Sequence, residues 1–208
     1  MRKKEKKQNK SISVSDNTIT SKNPEDIKPE KKKRFWTKNK LLIVDFLMIL
    51  SLVMLDQLIK YYASTTLEQH GSIVLWEGVL QLTYLKNTGG IFGILQNQNF
   101  FILFVVVILV LVVLYLLTKL PDKPRFTKLH IVLSCLLAGA LGNLTDRIRF
   151  GYVIDFIYFV GIDFPIFNGA DILISTSTVA LIILFVFYYK EKDLDFLNFK
   201  QKRYRELK

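Results

Sequence analysis

Four apolar stretches, near residues 41–62, 99–118, 129–145 and 171–189, limit what this chain can fold into more than any other feature. A helix needs about 20 mostly apolar residues to cross the roughly 30 Å hydrocarbon core of a bilayer, and soluble core helices are rarely so uniform. Phe100 to Leu117 contains no charge, and neither does Ile172 to Tyr189. The third stretch, Leu129 to Leu144, is shorter and diluted by Ser134, Gly139 and Gly142. Small residues let backbones approach where packing drives helix association in lipid, so this helix is expected at the centre of the bundle. The expected fold class is an all-α polytopic membrane protein with four transmembrane helices.

Orientation follows from the basic residues close to the spans, because cytoplasmic segments retain positive charge. Lys31 to Arg34, Lys38 and Lys40 precede span one; Lys119, Lys123, Arg125 and Lys128 separate spans two and three; Lys190 and Lys192 follow span four. Both termini are therefore expected in the cytoplasm, with residues 63–98 and 146–170 outside. The net charge of +11 invites a nucleic-acid reading. The positive charge is concentrated in flanks and tails, however, where anionic lipid head groups are the nearer partner, so membrane lipids are expected as partners and nucleic acid is not. Cys135 is the only cysteine, which excludes a disulfide within the chain.

Residues 1–40 are expected to be a disordered basic cytoplasmic tail, because a polar segment with few large apolar groups cannot bury enough surface to order itself. It lacks the pattern of a cleavable signal peptide. The membrane domain is expected over 41–190 and a second cytoplasmic tail over 191–208. In that tail Leu194, Phe196, Leu197 and Phe199 interleave with charge, which suits either an amphipathic helix on the inner leaflet or disorder. Outside the membrane, Gly71 to Gly78 and Val79 to Leu85 read as two short strands, and Tyr152 to Tyr158 as a third. The three are expected to form a small sheet at the membrane surface.

Carboxylates near hydrocarbon cost at least about 2.5 kcal/mol on lenient insertion scales, so those present mark candidate chemistry. Asp155 and Asp171 lie at or beside the outer ends of the apolar stretches, and sixteen residues separate them. They can meet only if the chain folds back, and Phe164 to Gly169 supplies a turn. Two adjacent carboxyls cannot readily both ionise, so one retains a proton. Such a pair can take a proton from an attacking water while polarising a peptide carbonyl, with no metal and no cofactor. Surface acids near the head groups remain the alternative from spacing alone.

At the outer end of span three, Asn143, Asp146 and Arg147 suggest supporting polar contacts. Asp56 and Lys60, four apart in span one, share a helix face and suit an ion pair. Asp45, near the opposite boundary, is expected to snorkel towards water. Asn87 and Gly89, in Asn87-Thr-Gly-Gly-Ile-Phe-Gly93, offer a side-chain amide and close backbone approach to an extended peptide.

Taken together these phrases resemble the lipoprotein signal peptidases, the signal peptidase II family of bacterial membrane aspartyl proteases. The resemblance lies in Asp-x-x-x-Lys at 56–60, Asn-x-Gly-x-x-Phe at 87–92, Gly-Asn-x-x-Asp-Arg at 142–147, Gly-x-Val-x-Asp-Phe at 151–156 and Phe-Asn-x-Ala-Asp at 167–171, in that order. It covers roughly residues 41–190. It implies four membrane helices with a small extracytoplasmic β-cradle and a further outer helical element. It also implies a catalytic pair of Asp155 and Asp171, with Asn168 beside the latter and Asn143, Asp146 and Arg147 in support. The implied activity is an aspartic endopeptidase of the bacterial cell membrane, expected as a monomer, that cuts diacylglyceryl-modified prolipoproteins immediately before the lipidated cysteine. Gly90 and Ile91 depart from the small residues, often alanine, usual there. The rival reading is a small transporter or channel subunit whose intramembrane acids bind cations or relay protons. Spans two and four offer it no charged residue along the inner half.

Overall fold

The computed structural model describes residues 37–89 and 99–197. Of the tail expected to be disordered over residues 1–40, residues 1–36 lie outside the described residues, as do the Gly90 to Phe92 part of the Asn-x-Gly motif and the end of the chain from 198, while Lys38 to Lys40 are already helical, continuous with the first apolar stretch.

Helix α1 spans Lys38–His70, α2 Asn99–Lys119, α3 Thr127–Phe150 and α4 Gly169–Ile183. All four are long and apolar enough to cross a membrane, with α4 continuing through one wider π turn at Leu184–Tyr188. The strands are β1 Ile73–Trp76, β2 Leu80–Asn87 and β3 Val153–Phe159, paired antiparallel in the order β1-β2-β3. The expected strands each fall within two residues of these limits.

Span one continues well past Tyr62. At 1.5 Å per residue α1 is roughly 50 Å long, far more than the hydrocarbon thickness. Nothing from Ala63 to His70 breaks a helix, and the turn stops only at Gly71, whose φ of 75° suits glycine and whose N–H caps Leu67. The extension packs Leu67 against Ile154 and Phe156 of the sheet, so the outer sheet is anchored on a projecting helix.

Helix α3 is central, as its small residues imply. Leu133, Leu137, Ala140 and Leu144 lie in the main apolar core with Val110, Val113 and Leu117 of α2. At Gly139 a Cβ would stand 2.6 Å from the Ala170 carbonyl oxygen and 2.9 Å from the Ile174 side chain, so α3 and α4 touch backbone to backbone there. Gly139→Ala should therefore lower stability by about 1–3 kcal/mol, read as thermal unfolding in detergent; an unchanged melting temperature would contradict this close packing.

A buried charge differs from expectation. Asp45 does not reach for water. It is buried, with Oδ2 2.6 Å from His130 Nδ1 on α3, because a carboxylate enclosed by α1 and α3 gains more from a fixed partner than from snorkelling past the bundle. The described part of the final tail, Glu191–Leu197, for which an amphipathic helix and disorder were both open, is a 3₁₀ helix. It is held by the Arg125 to Asp193 ion pair at 2.7 Å and by Phe196 against Phe126, which also stacks on Tyr189.

Candidate active site

The fold-back that brings Asp155 and Asp171 together is made by backbone. After β3 the chain turns through Val160–Ile162 and the left-handed Asp163, and Phe167 returns to bridge Ile157. The Phe167 carbonyl accepts the N–H groups of Phe156 and Ile157, and the Phe167 N–H donates to Ile157. Asn168, the next residue, is thereby set beside Asp155 at the mouth of α4.

Asn168 caps α4. Its side-chain oxygen accepts the Asp171 N–H at 3.0 Å while the Asp171 carboxylate accepts the Asn168 N–H at 3.1 Å, a reciprocal capping box. The Asn168 side-chain amide nitrogen also donates to Asp155 Oδ1 at 2.6 Å, so one buried residue donates to both carboxylates, to Asp155 from its side chain and to Asp171 from its backbone. Asp155 Oδ2 accepts from the Asn87 amide at 2.7 Å, and Asn87 is itself fixed by the Gly89 N–H on its oxygen. The register of the sheet makes this contact: Leu85 faces Asp155 and Asn87 faces Val153, which requires β2 to run two residues beyond Leu85. The remaining Asp171 oxygen accepts from Asn143 at 2.8 Å.

Asp155 is 1% exposed, and its carboxyl is pushed up to about 6, first by burial and then by the charge of Asp171. Hydrogen bonds from Asn87 and Asn168 and the charge of Lys60 oppose that rise without cancelling it. The acids are thus held by neutral amides, which orient them without neutralising either.

A second layer lies behind Asn143. Lys60, fully enclosed, places its ammonium 2.9 Å from Asn143 Oδ1, 3.0 Å from Asp56 and 2.9 Å from Asp146, which uses all three donors. Asp146 also accepts from the Ile154 N–H of β3, one residue before Asp155. Arg147 donates to the carbonyls of Asn143 and Gly89, tying the Asn87 loop to α3. Gly142 is small of necessity, since a Cβ there would stand 2.5 Å from the Asp56 carboxylate.

All ten residues singled out from sequence therefore converge: Asp155, Asp171 and Asn168 at the centre, Asn87, Gly89 and Arg147 on one side, Asn143, Lys60, Asp56 and Asp146 on the other. Gln57 belongs with them and was not anticipated. Its amide donates to Asp56, to the Gly142 carbonyl and to Asp146, the last at 2.8 Å. The available signal was its spacing of three from Lys60, which puts both on one face of α1. Among the described residues no group of three or more His, Cys, Asp or Glu stands together as metal ligands would.

Comparison with known proteins agrees with this architecture. The sequence model described as Signal peptidase (SPase) II matches residues 48–187. A lipoprotein signal peptidase of Streptococcus thermophilus is 37% identical over 145 residues, 70% of this chain and 92% of that protein. One from Caldanaerobacter subterraneus is 39% identical over 136 residues, 65% of this chain and 90% of that protein. A solved structure described as a bacterial membrane enzyme at 2.3 Å superposes with a TM-score of 0.62 at 31% identity, covering 71% of this chain and 92% of that one.

Proposed function

The chain belongs to the signal peptidase II family, and we propose that Asp155 and Asp171 are its catalytic pair, acting on a prolipoprotein at the outer face of the membrane. It is a multi-pass membrane protease of the lipoprotein signal peptidase type. The observation that carries the assignment of the pair is that the single residue Asn168 donates to both carboxylates, its side-chain amide to Asp155 and its backbone N–H to Asp171.

In this reading Asp155, pushed up to about 6, holds the shared proton, and Asp171 takes a proton from the attacking water. The resulting hydroxide adds to the scissile carbonyl carbon while Asp155 protonates the carbonyl oxygen. The proton on Asp171 then passes to the peptide nitrogen, the carbon–nitrogen bond breaks, and Asp155 recovers its own from the collapsing diol. One water is consumed and one carboxyl and one amine appear. The backbone and side-chain donors at Asp171 keep the pair fixed throughout, so little reorganisation accompanies the transfer.

The substrate class follows from where the pair lies. A diacylglyceryl group keeps a modified cysteine in the bilayer, so a peptidase cutting immediately before it needs acids near the end of a membrane helix. Asp171 in the first turn of α4 meets that need. Residues 41–190 form the peptidase unit, and 1–40 and 191–208 are cytoplasmic tails, as the flanking basic residues favour. The transporter reading has no comparable support.

The test uses the full chain reconstituted in vesicles with a precursor carrying diacylglyceryl-cysteine and the same precursor with a free thiol. The lipidated precursor should yield a product beginning at the modified cysteine, and equal cleavage of the free-thiol precursor would overturn the substrate assignment.

A pH profile follows from the same proton. Because Asp155 acts in its protonated form, kcat/KM should fall on the alkaline side with a midpoint near 6 in the free enzyme. The Asn87 hydrogen bond favours the ionised form, so Asn87→Ala should move this limb to higher pH. A shift to lower pH in that variant contradicts the assignment.

A further inference from the structure

Strand β2 brings an open apolar side chain to the face of the sheet that holds the acids. Leu85 pairs directly with Asp155 across β2 and β3. Directly opposed residues point to one face of a sheet, with their Cβ atoms about 4.5–5.5 Å apart. Asn87 identifies that face: it lies two residues further along the strand, on the same side, and its amide reaches Asp155 Oδ2 at 2.7 Å. Lys86, between them, turns the other way, its ammonium 3.2 Å from Glu68 and 5.6 Å from the ring centroids of Tyr84 and Tyr152.

Leu85 is 41% exposed. A single exposed leucine is ordinary on a protein surface, so exposure alone carries nothing. Its place does. Polar amides hold the acids, Asn87 and Asn168 on Asp155 and Asn143 on Asp171. Leu85 borders the same Asp155 carboxyl with an apolar surface that the fold leaves uncovered. Asp155 is almost wholly enclosed, so a peptide that reaches it along this face of β2 meets the leucine side chain.

We propose that Leu85 is a specificity-determining residue: its side chain walls the subsite for the substrate residue immediately before the cut and restricts that residue to small, unbranched side chains. The inference rests on the reading of Asp155 as the acid that protonates the scissile carbonyl oxygen. For that transfer the oxygen must come within about 2.6–3.2 Å of the carboxyl. The two residues flanking the bond then lie against the same face of β2. One is the modified cysteine, whose side chain follows its lipid into the bilayer; the other supplies the carbonyl and is left to face Leu85. With the Leu85 Cβ only about 5 Å from that of Asp155, a hydrogen or a methyl group fits beside the leucine. A branched side chain has to displace the leucine or hold the carbonyl away from Asp155. Strand β2 is the central strand, paired on both edges, so its backbone gives the wall little room to retreat.

The experiment measures kcat/KM of the full chain in vesicles on two precursors with diacylglyceryl-cysteine, one with alanine and one with valine immediately before it. The unaltered chain should prefer alanine by about ten-fold or more, the scale on which an apolar pocket discriminates a methylene or two. Leu85→Ala should narrow that preference several-fold and Leu85→Trp should widen it. Lys86→Ala, on the opposite face of β2, should leave it unchanged. A preference that is the same with leucine, alanine and tryptophan at position 85, while the alanine precursor is still cut, overturns the subsite and leaves the catalytic pair standing. If the unaltered chain cuts neither precursor, the assignment of the pair fails and the subsite fails with it. Should Leu85→Ala not fold, Leu85→Trp decides, and an unmoved preference there overturns the proposal.

Discussion

Asp155→Asn and Asp171→Asn should each reduce cleavage of a lipidated precursor by on the order of 10³-fold or more, with the protein still inserted and monodisperse. Asparagine keeps the volume of aspartate but can neither take a proton from water nor hand one to the leaving amine. At Asp155 the replacement also meets two amide donors that are not free to turn, since Asn87 is fixed by the Gly89 N–H and Asn168 by the Asp171 N–H. One donor is left facing another, at a cost of about 1–3 kcal/mol, tolerable for a fold of ordinary stability. Because the two acids act as one unit, the double variant should be no slower than either single. A single variant keeping more than about a tenth of the rate contradicts this account, because one positioned acid or base contributes at least 10²-fold.

Lys60→Met should lower stability by about 3–5 kcal/mol, because it leaves Asp56 and Asp146 as buried charges without their partner. The size separates two explanations. Ordinary hydrogen bonds inside membrane proteins average about 0.6 kcal/mol, so a loss several times larger marks charge compensation rather than one lost contact. Activity should fall with it, since Lys60 holds the Asn143 oxygen and so turns its amide towards Asp171. Adding Asp56→Asn to Lys60→Met should recover part of the stability. Thermal unfolding in detergent reads both effects, and a change under about 1 kcal/mol for Lys60→Met would show the network to be peripheral to folding.

The spans, the sheet and the site residues were legible because each leaves a local mark. Uninterrupted apolar runs locate the four helices, the small residues of α3 mark its central place, and charged residues near hydrocarbon stand out against their surroundings. What stayed hidden depends on contacts between segments distant in sequence. The extension of α1 to His70 rests on Leu67 meeting β3. The burial of Asp45 rests on His130, eighty-five residues away. The reach of β2 to Asn87 is set by pairing with β3. Gln57 was overlooked because its polarity attracts no attention beside two charges, although its helical face was readable. The π turn of α4 has no mark in Leu184 to Tyr188, all of which would suit an ordinary helix.

The most direct measurement of the shared proton is infrared absorption of the reconstituted enzyme, titrated with and without Asp155→Asn. The account predicts a protonated carboxyl band that disappears as pH rises through about 6 and is missing in the Asp155→Asn variant. A band that titrates in the ordinary aspartate range near 4, or that survives unchanged in that variant, contradicts a proton held at Asp155 for catalysis.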